Sequence, residues 1–136
     1  RTAEVFDREE IPSAHYIVFG GPGEDETSCR EGLDNIGKLG RGIVFAFSGY
    51  RILPGTGLHA RAVEEGIVSS DDSLLRPVFY FSPGIERRSM ERLLADGLAG
   101  SFRHLFSPLA CEDRMRVIRN LGGKGLIWDR LWHLCR

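Results

Sequence analysis

The chain has 136 residues, 42% of them hydrophobic and 27% charged, with a formal net charge of -1. These values describe one ordinary globular, soluble domain; they exclude a disordered chain and argue against a general binder of nucleic acid or membrane surfaces. No apolar run approaches the roughly 20 residues that a membrane span needs. The near-neutral total hides an asymmetry. Residues 1–75 carry 7 Lys and Arg against 13 Asp and Glu, whereas residues 76–136 carry 11 against 6. The halves can attract each other, or the basic half can face an anionic partner.

In chain order, residues 4–10 are charged and lack a breaker before Ile11-Pro12, which fits the end of a helix begun upstream. Arg1-Thr2-Ala3-Glu4 resembles neither a signal peptide nor an initiation site, so the chain is expected to be an excised piece. Tyr16-Ile17-Val18-Phe19 is a β-prone run closed by Gly20-Gly21-Pro22-Gly23, and reads as a buried strand. Glu24-Asp25-Glu26-Thr27 then suits a helix N-terminus, where free N–H groups favour negative charge. Cys29, Leu33, Ile36 and Leu39 follow as one apolar stripe, stopped by Gly40 and Gly42. Ile43-Val44-Phe45-Ala46-Phe47 is the second strand. Strand, helix and strand within about 30 residues make one βαβ unit, and the continuous apolar character of both strands predicts a parallel sheet covered on both faces.

Beyond it, a short helix is expected over about residues 57–65, ended by Gly66, with a cap or loop at Ser69-Ser70-Asp71-Asp72. Pro77-Val78-Phe79-Tyr80-Phe81 reads as an edge strand or a covering segment. Further helices are expected over about residues 85–99, with Met90, Leu93, Leu94 and Leu98 on one face, and from Ser107-Pro108, with Cys111, Met115, Ile118 and Leu121. The apolar tail from Leu126 to Leu134 should pack onto the rest. Two apolar strands fall short of the about four to six of an ordinary sheet, so neighbouring strands are expected upstream.

Two turns carry chemical information. Gly20, Gly21 and Gly23 in Val18-Phe19-Gly20-Gly21-Pro22-Gly23-Glu24 let the backbone turn sharply at a strand's C-terminal end, where α/β proteins bind ligands. No Gly-Lys-Ser/Thr follows, so it is not a phosphate-binding P-loop. In Arg51-Ile52-Leu53-Pro54-Gly55-Thr56, Arg51 suits a carboxylate or phosphate, Pro54-Gly55 a turn, and Thr56 a helix cap. Taken singly, each is also what a plain tight connection or a surface arginine looks like.

In this order and at this separation the two turns closely resemble the last two βα units of radical S-adenosylmethionine enzymes. The resemblance is strongest to the cobalamin-binding subgroup that includes hopanoid and other lipid biosynthesis. It covers about residues 4–83 well and the remainder loosely, through Pro77–Pro83 and Gly125-Leu126-Ile127-Trp128-Asp129. It implies an α/β fold, the C-terminal part of a partial (β/α)6 TIM-like barrel, with residues 1–66 as its last two βα units and 67–136 as a mainly helical extension. It implies that Val18, Phe19 and Gly20 lie against the adenine of S-adenosylmethionine, with Gly21, Pro22, Gly23 and Glu24 shaping the same end. Arg51 and Thr56 would line the substrate side or order the loop. The implied cofactors are S-adenosylmethionine, a 4Fe-4S cluster and cobalamin. The implied partners are an upstream barrel, a cobalamin-binding domain and a small-molecule or lipid-like substrate. The implied setting is the cytoplasm, with no nucleic acid and no transmembrane segment.

This chain departs from that pattern in having no Cys-x3-Cys-x2-Cys motif; Cys29, Cys111 and Cys135 cannot replace it at their spacing. Reduced thiols are the expectation for all three. The chain should therefore be catalytically silent alone. His15, His59, His104 and His133 are scattered, and no Gly-x-Ser-x-Gly elbow exists. Glu64-Glu65 and Asp71-Asp72 read as solvated pairs. Arg87, Arg88, Arg92, Arg103 and His104 read as a solvated helix face, an anion site or a docking surface, and Trp128 and Trp132 as core or as an apolar patch for a missing domain. The competing expectation is a stand-alone, non-catalytic α/β binding or interaction module.

Overall fold

A computed structural model of the chain describes residues 2–106 and 108–134. Ser107, at the expected start of a helix, and Cys135 lie outside the described residues. After a first helix, α1 (Thr2–Arg8), the strands β1 (Ala14–Phe19) and β2 (Ile43–Ser48) pair in parallel, Ala14 opposite Ile43 and Phe19 opposite Ser48. Helix α2 (Glu26–Gly37) crosses between them. Asp25 caps it: its carboxylate accepts from the Ser28 N–H at 2.8 Å, while the Ser28 hydroxyl accepts from the Asp25 N–H at 2.9 Å. This reciprocal pair satisfies two N–H groups that the helix start leaves free. The expected stripe turns onto the sheet, with Cys29 and Ile36 buried and Leu33 and Leu39 packed beside them.

From β2 the chain turns into β3 (Tyr50–Arg51), then α3 (Gly57–Glu64), and returns as β4 (Phe79–Tyr80), antiparallel to β3. Ile52, Ala62, Val68, Leu74 and Tyr80 form a small core under α3. Helix α4 (Arg87–Leu98) starts at Glu86, whose side chain accepts from the N–H groups of Arg88 and Ser89. It buries Met90, Leu94 and Leu98 in the same cluster as α2. α4 leads into β5 (His104–Phe106), which lies parallel to β2 on the side away from β1.

The sheet order is therefore β1-β2-β5, and all three strands are parallel. One βαβ unit and a mainly helical second half were expected; the second half, besides its helices, carries a further parallel strand and closes a second crossover through α4. β5 has three residues, with only Leu105 fully buried, which is too short for a strand alternation to stand out.

Alternate residues of β2 serve opposite faces. Val44 and Ala46 meet α2 and α4, whereas Ile43 and Phe45, with Leu105, meet Leu131 and Trp132 of α6 (Ile127–Leu134). Cys111 and Ile118 of α5 (Pro108–Asn120) pack against that second cluster. Leu121, the last residue of the expected α5 stripe, is 82% exposed, so the stripe is only half used. Trp132 is a core residue, and the Arg41 guanidinium lies 4.2 Å over its ring. On its far side β1 has no strand partner among the described residues, and Tyr16 there is exposed while its ring stacks on Phe45 at 4.9 Å. No helix among the described residues is long and apolar enough to cross a membrane.

This packing assigns unequal weight to the residues of the C-terminal helices. Trp132→Ala should lower unfolding stability by about 3–5 kcal/mol, whereas Leu121→Ala should change it by no more than about 0.5 kcal/mol. Urea denaturation of the two variants checks both; equal effects would mean that α6 does not close the sheet.

Candidate functional site

β1 runs into Gly20, whose φ of +93° is one that side-chain-bearing residues rarely adopt. The turn is tied from several sides. The Gly20 N–H donates to Glu24 Oε2 at 2.5 Å, its carbonyl accepts from the Ser82 N–H at 2.9 Å, and the Glu24 N–H donates to the Gly21 carbonyl at 3.1 Å. β2 leaves through Gly49, φ +81°, where an added Cβ would lie 2.6 Å from Phe81 Cζ. The Gly49 N–H donates to the Phe19 carbonyl at 2.7 Å and carries the ladder past the strand end. One residue later the Tyr50 hydroxyl donates to the Val18 carbonyl at 3.0 Å. The two glycine turns are thus bound to each other at the C-terminal ends of neighbouring parallel strands.

Between these ends, β4, β5 and the start of α4 lies a cavity of about 610 Å³. Its apolar walls are Val18, Phe47, Phe79 and Phe106, and its polar groups include Ser48, Arg51, Arg87 and Glu91. Glu91 Oε1 accepts from Arg87 Nε at 2.9 Å and from the Ser48 hydroxyl at 3.2 Å. The Arg87 guanidinium also lies 4.7 Å over the Phe81 ring. The Arg51 side chain is exposed and makes no hydrogen bond or ion pair among the described residues.

Glu24 sets the electrostatics of the turn. Burial first, then the Glu24 carboxylate, push the Tyr50 phenol above its ordinary value, so it remains a neutral donor. Cys29 Sγ lies 4.0 Å from Glu24 Oε2, and burial, reinforced by Glu24, Asp25 and Glu26, pushes its thiol up to about 11. A thiol so held is neither a nucleophile nor a ready metal ligand near neutral pH. Burial raises Cys111 as well. These two cysteines belong to different core clusters, on opposite faces of the sheet. Among the described residues no three His, Cys, Asp or Glu side chains come together to hold a metal.

Of the residues singled out in the sequence, the cavity brings together Val18 and Arg51. Phe19 points into the core shared by α2 and α4. Gly20 and Gly21 are buried in the turn, Pro22 and Gly23 form its exposed tip, and Glu24 locks it from within. Thr56 caps α3: its hydroxyl accepts from the His59 N–H at 3.2 Å and donates to the Leu53 carbonyl at 2.8 Å. The basic cluster is dispersed, with Arg87 at the cavity and Arg103 bonded to the Gly40 carbonyl near the strands' N-terminal end. Sequence reasoning missed Ser48, Phe106 and Glu91. The spacing of Arg87 and Glu91, four apart on an expected helix, marks an ion pair, but nothing local says that it faces a cavity.

Two outcomes test this geometry. Gly49→Ala combines a strained φ with a clash against the Phe81 ring, so it should cost more than about 1 kcal/mol in a denaturant titration. Because the Cys29 thiol is raised from 9.0 to about 11, folded protein holds its proton where unfolded chain has lost it. Stability should therefore fall as pH rises from about 9 towards about 11. Melting curves of Cys29→Ala across that window should show a shallower decline; an unchanged slope would refute the assignment.

Comparison with protein-family models, with curated proteins and with solved structures gives no match, so the chemistry of the site itself carries its functional reading.

Proposed function

We propose that this chain is the C-terminal portion of a radical S-adenosylmethionine enzyme of the cobalamin-binding subgroup, and that the cavity at its strand ends is its share of the pocket for S-adenosylmethionine and substrate. The observation that carries the reading is the joining of the two turns: the Val18–Glu24 turn and the Gly49–Thr56 segment meet through the Tyr50–Val18 hydrogen bond and border one cavity. Ligands of parallel α/β sheets bind at that end of the strands. The parallel β1–β2 pair with α2 on one face suits the fifth and sixth strands of a (β/α)6 barrel, although β5 then lies parallel beyond the sixth, a strand that such a barrel does not supply. The unpaired edge of β1 then receives an upstream strand.

The residues present fit such a pocket in part. Val18 and Phe47 offer an apolar wall to a flat ring. The Gly20 N–H is already committed to Glu24, which leaves polar contacts to the spare lone pairs of the Val18 and Gly20 carbonyls. Cys29 and Cys111 do not fit a cluster, so in this reading the cluster ligands come from another part of the enzyme, as does any cobalamin site, and the chain alone is inactive. When bound, S-adenosylmethionine and the cluster supply hydrogen-atom abstraction from carbon.

A second reading, a stand-alone non-catalytic α/β binding module, is favoured by α6. Leu131 and Trp132 cover Ile43, Phe45 and Leu105, on a face that a barrel turns inward. Anaerobic reconstitution of the full encoded protein with iron and sulfide separates the two. The enzyme reading expects visible charge-transfer absorption and cleavage of S-adenosylmethionine to 5′-deoxyadenosine. Val18→Glu should raise KM for S-adenosylmethionine by about tenfold or more, by placing a charge on the apolar wall, with the absorption unchanged. A protein without the cysteine motif, colourless after reconstitution, overturns the enzyme reading in favour of the module.

A further inference from the structure

The cavity has an uneven distribution of charge. Arg87 and Glu91 neutralise each other at 2.9 Å, and the same Glu91 oxygen also takes the Ser48 hydroxyl. The remaining charge on the lining is Arg51, which has no partner among the described residues. A guanidinium offers a planar fork of donors that matches the oxygens of a carboxylate or phosphate. Directly across the β3–β4 ladder from Arg51 stands Phe79, a residue that is 47% exposed. Residues opposite each other in such a ladder project to the same side. An unpaired cation and an uncovered aromatic ring therefore stand side by side at the mouth, and Val18, Phe47 and Phe106 continue the apolar surface beyond them.

We infer that this cavity binds an amphipathic anion, with its carboxylate or phosphate on Arg51 and its apolar body against Phe79, Val18, Phe47 and Phe106. A small inorganic anion meets only one exposed arginine, where water competes well. A neutral hydrocarbon gains the apolar wall but leaves Arg51 without a partner. A cation meets a site with one net positive charge. The molecule that uses every free feature of the lining has both a head and a tail. The volume of about 610 Å³ falls within the roughly 300–1,000 Å³ of small-molecule sites. This inference takes from the proposed function only that the cavity is the ligand site, and it names the class of substrate for that site.

The test uses the full encoded protein before iron, sulfide or S-adenosylmethionine is added, so its outcome is independent of the radical chemistry. Isothermal titration calorimetry with octyl phosphate, octanol and inorganic phosphate separates the joint requirement from either part. Octyl phosphate should bind about tenfold more tightly than either of the others, the difference expected of one charge-assisted contact. Arg51→Gln, at an exposed position that the fold does not depend on, should reduce octyl phosphate to the level of octanol and leave octanol unchanged. Phe79→Ala should weaken octyl phosphate and octanol together. Equal binding of octanol or of inorganic phosphate, a preference that survives Arg51→Gln, or no saturable binding of octyl phosphate would each overturn the inference. Failure here with S-adenosylmethionine cleavage intact in the full protein would refute the substrate class alone.

Discussion

The parallel pairing of Ala14–Phe19 with Ile43–Ser48 is the constraint on which the rest depends. Its register decides which side chains face which layer. Ile17 and Phe19 reach the core under α2 and α4, whereas Tyr16 stacks on Phe45 on the other side. A slip of one residue would exchange those faces. The same register brings Gly20 and Gly49 out at the same level. Tyr50 can then reach back to the Val18 carbonyl, and Phe81 can pack against both glycines. The cavity is what remains between strand ends held in this way.

The two ends of the sheet are finished differently. At the N-terminal end the Asp7 carboxylate accepts from the Arg41 N–H at 3.1 Å, Arg41 covers Trp132, and Arg103 is bonded to the Gly40 carbonyl. Cations there are used up on backbone, carboxylate and ring. At the C-terminal end the glycines give close backbone approach but no bulk, and Arg51 stays unpaired. The free cation is thus left at the end of the sheet where parallel βα architectures bind their ligands.

Glu24 connects turn and core. Its side chain holds the Gly20 N–H, and its charge helps to keep both Tyr50 and Cys29 protonated. Both effects rest on the partial burial of one carboxylate next to a helix start, where exposed N–H groups favour negative charge. The acceptor that orders the turn is supplied from four residues downstream.

The sequence by itself determined the local elements and the ends of most of them. The stripe of Cys29, Leu33, Ile36 and Leu39, the acidic start of α2, the cap at Thr56 and the face of α4 are written at helical spacing or in side-chain chemistry next to the backbone they serve. The β1–α2–β2 unit was legible for the same reason, since each strand is a run of apolar residues closed by glycine. Only the tertiary structure decided that His104–Phe106 is a third parallel strand, that Trp132 closes the sheet beside Arg41, and that Ser48, Glu91, Phe106 and Arg51 border one cavity with Val18. These depend on residues tens of positions apart being placed together by strand pairing and helix packing. Three residues of strand carry too little pattern to announce their partner, and a charged residue on a helix reads the same whether it faces solvent or a cavity.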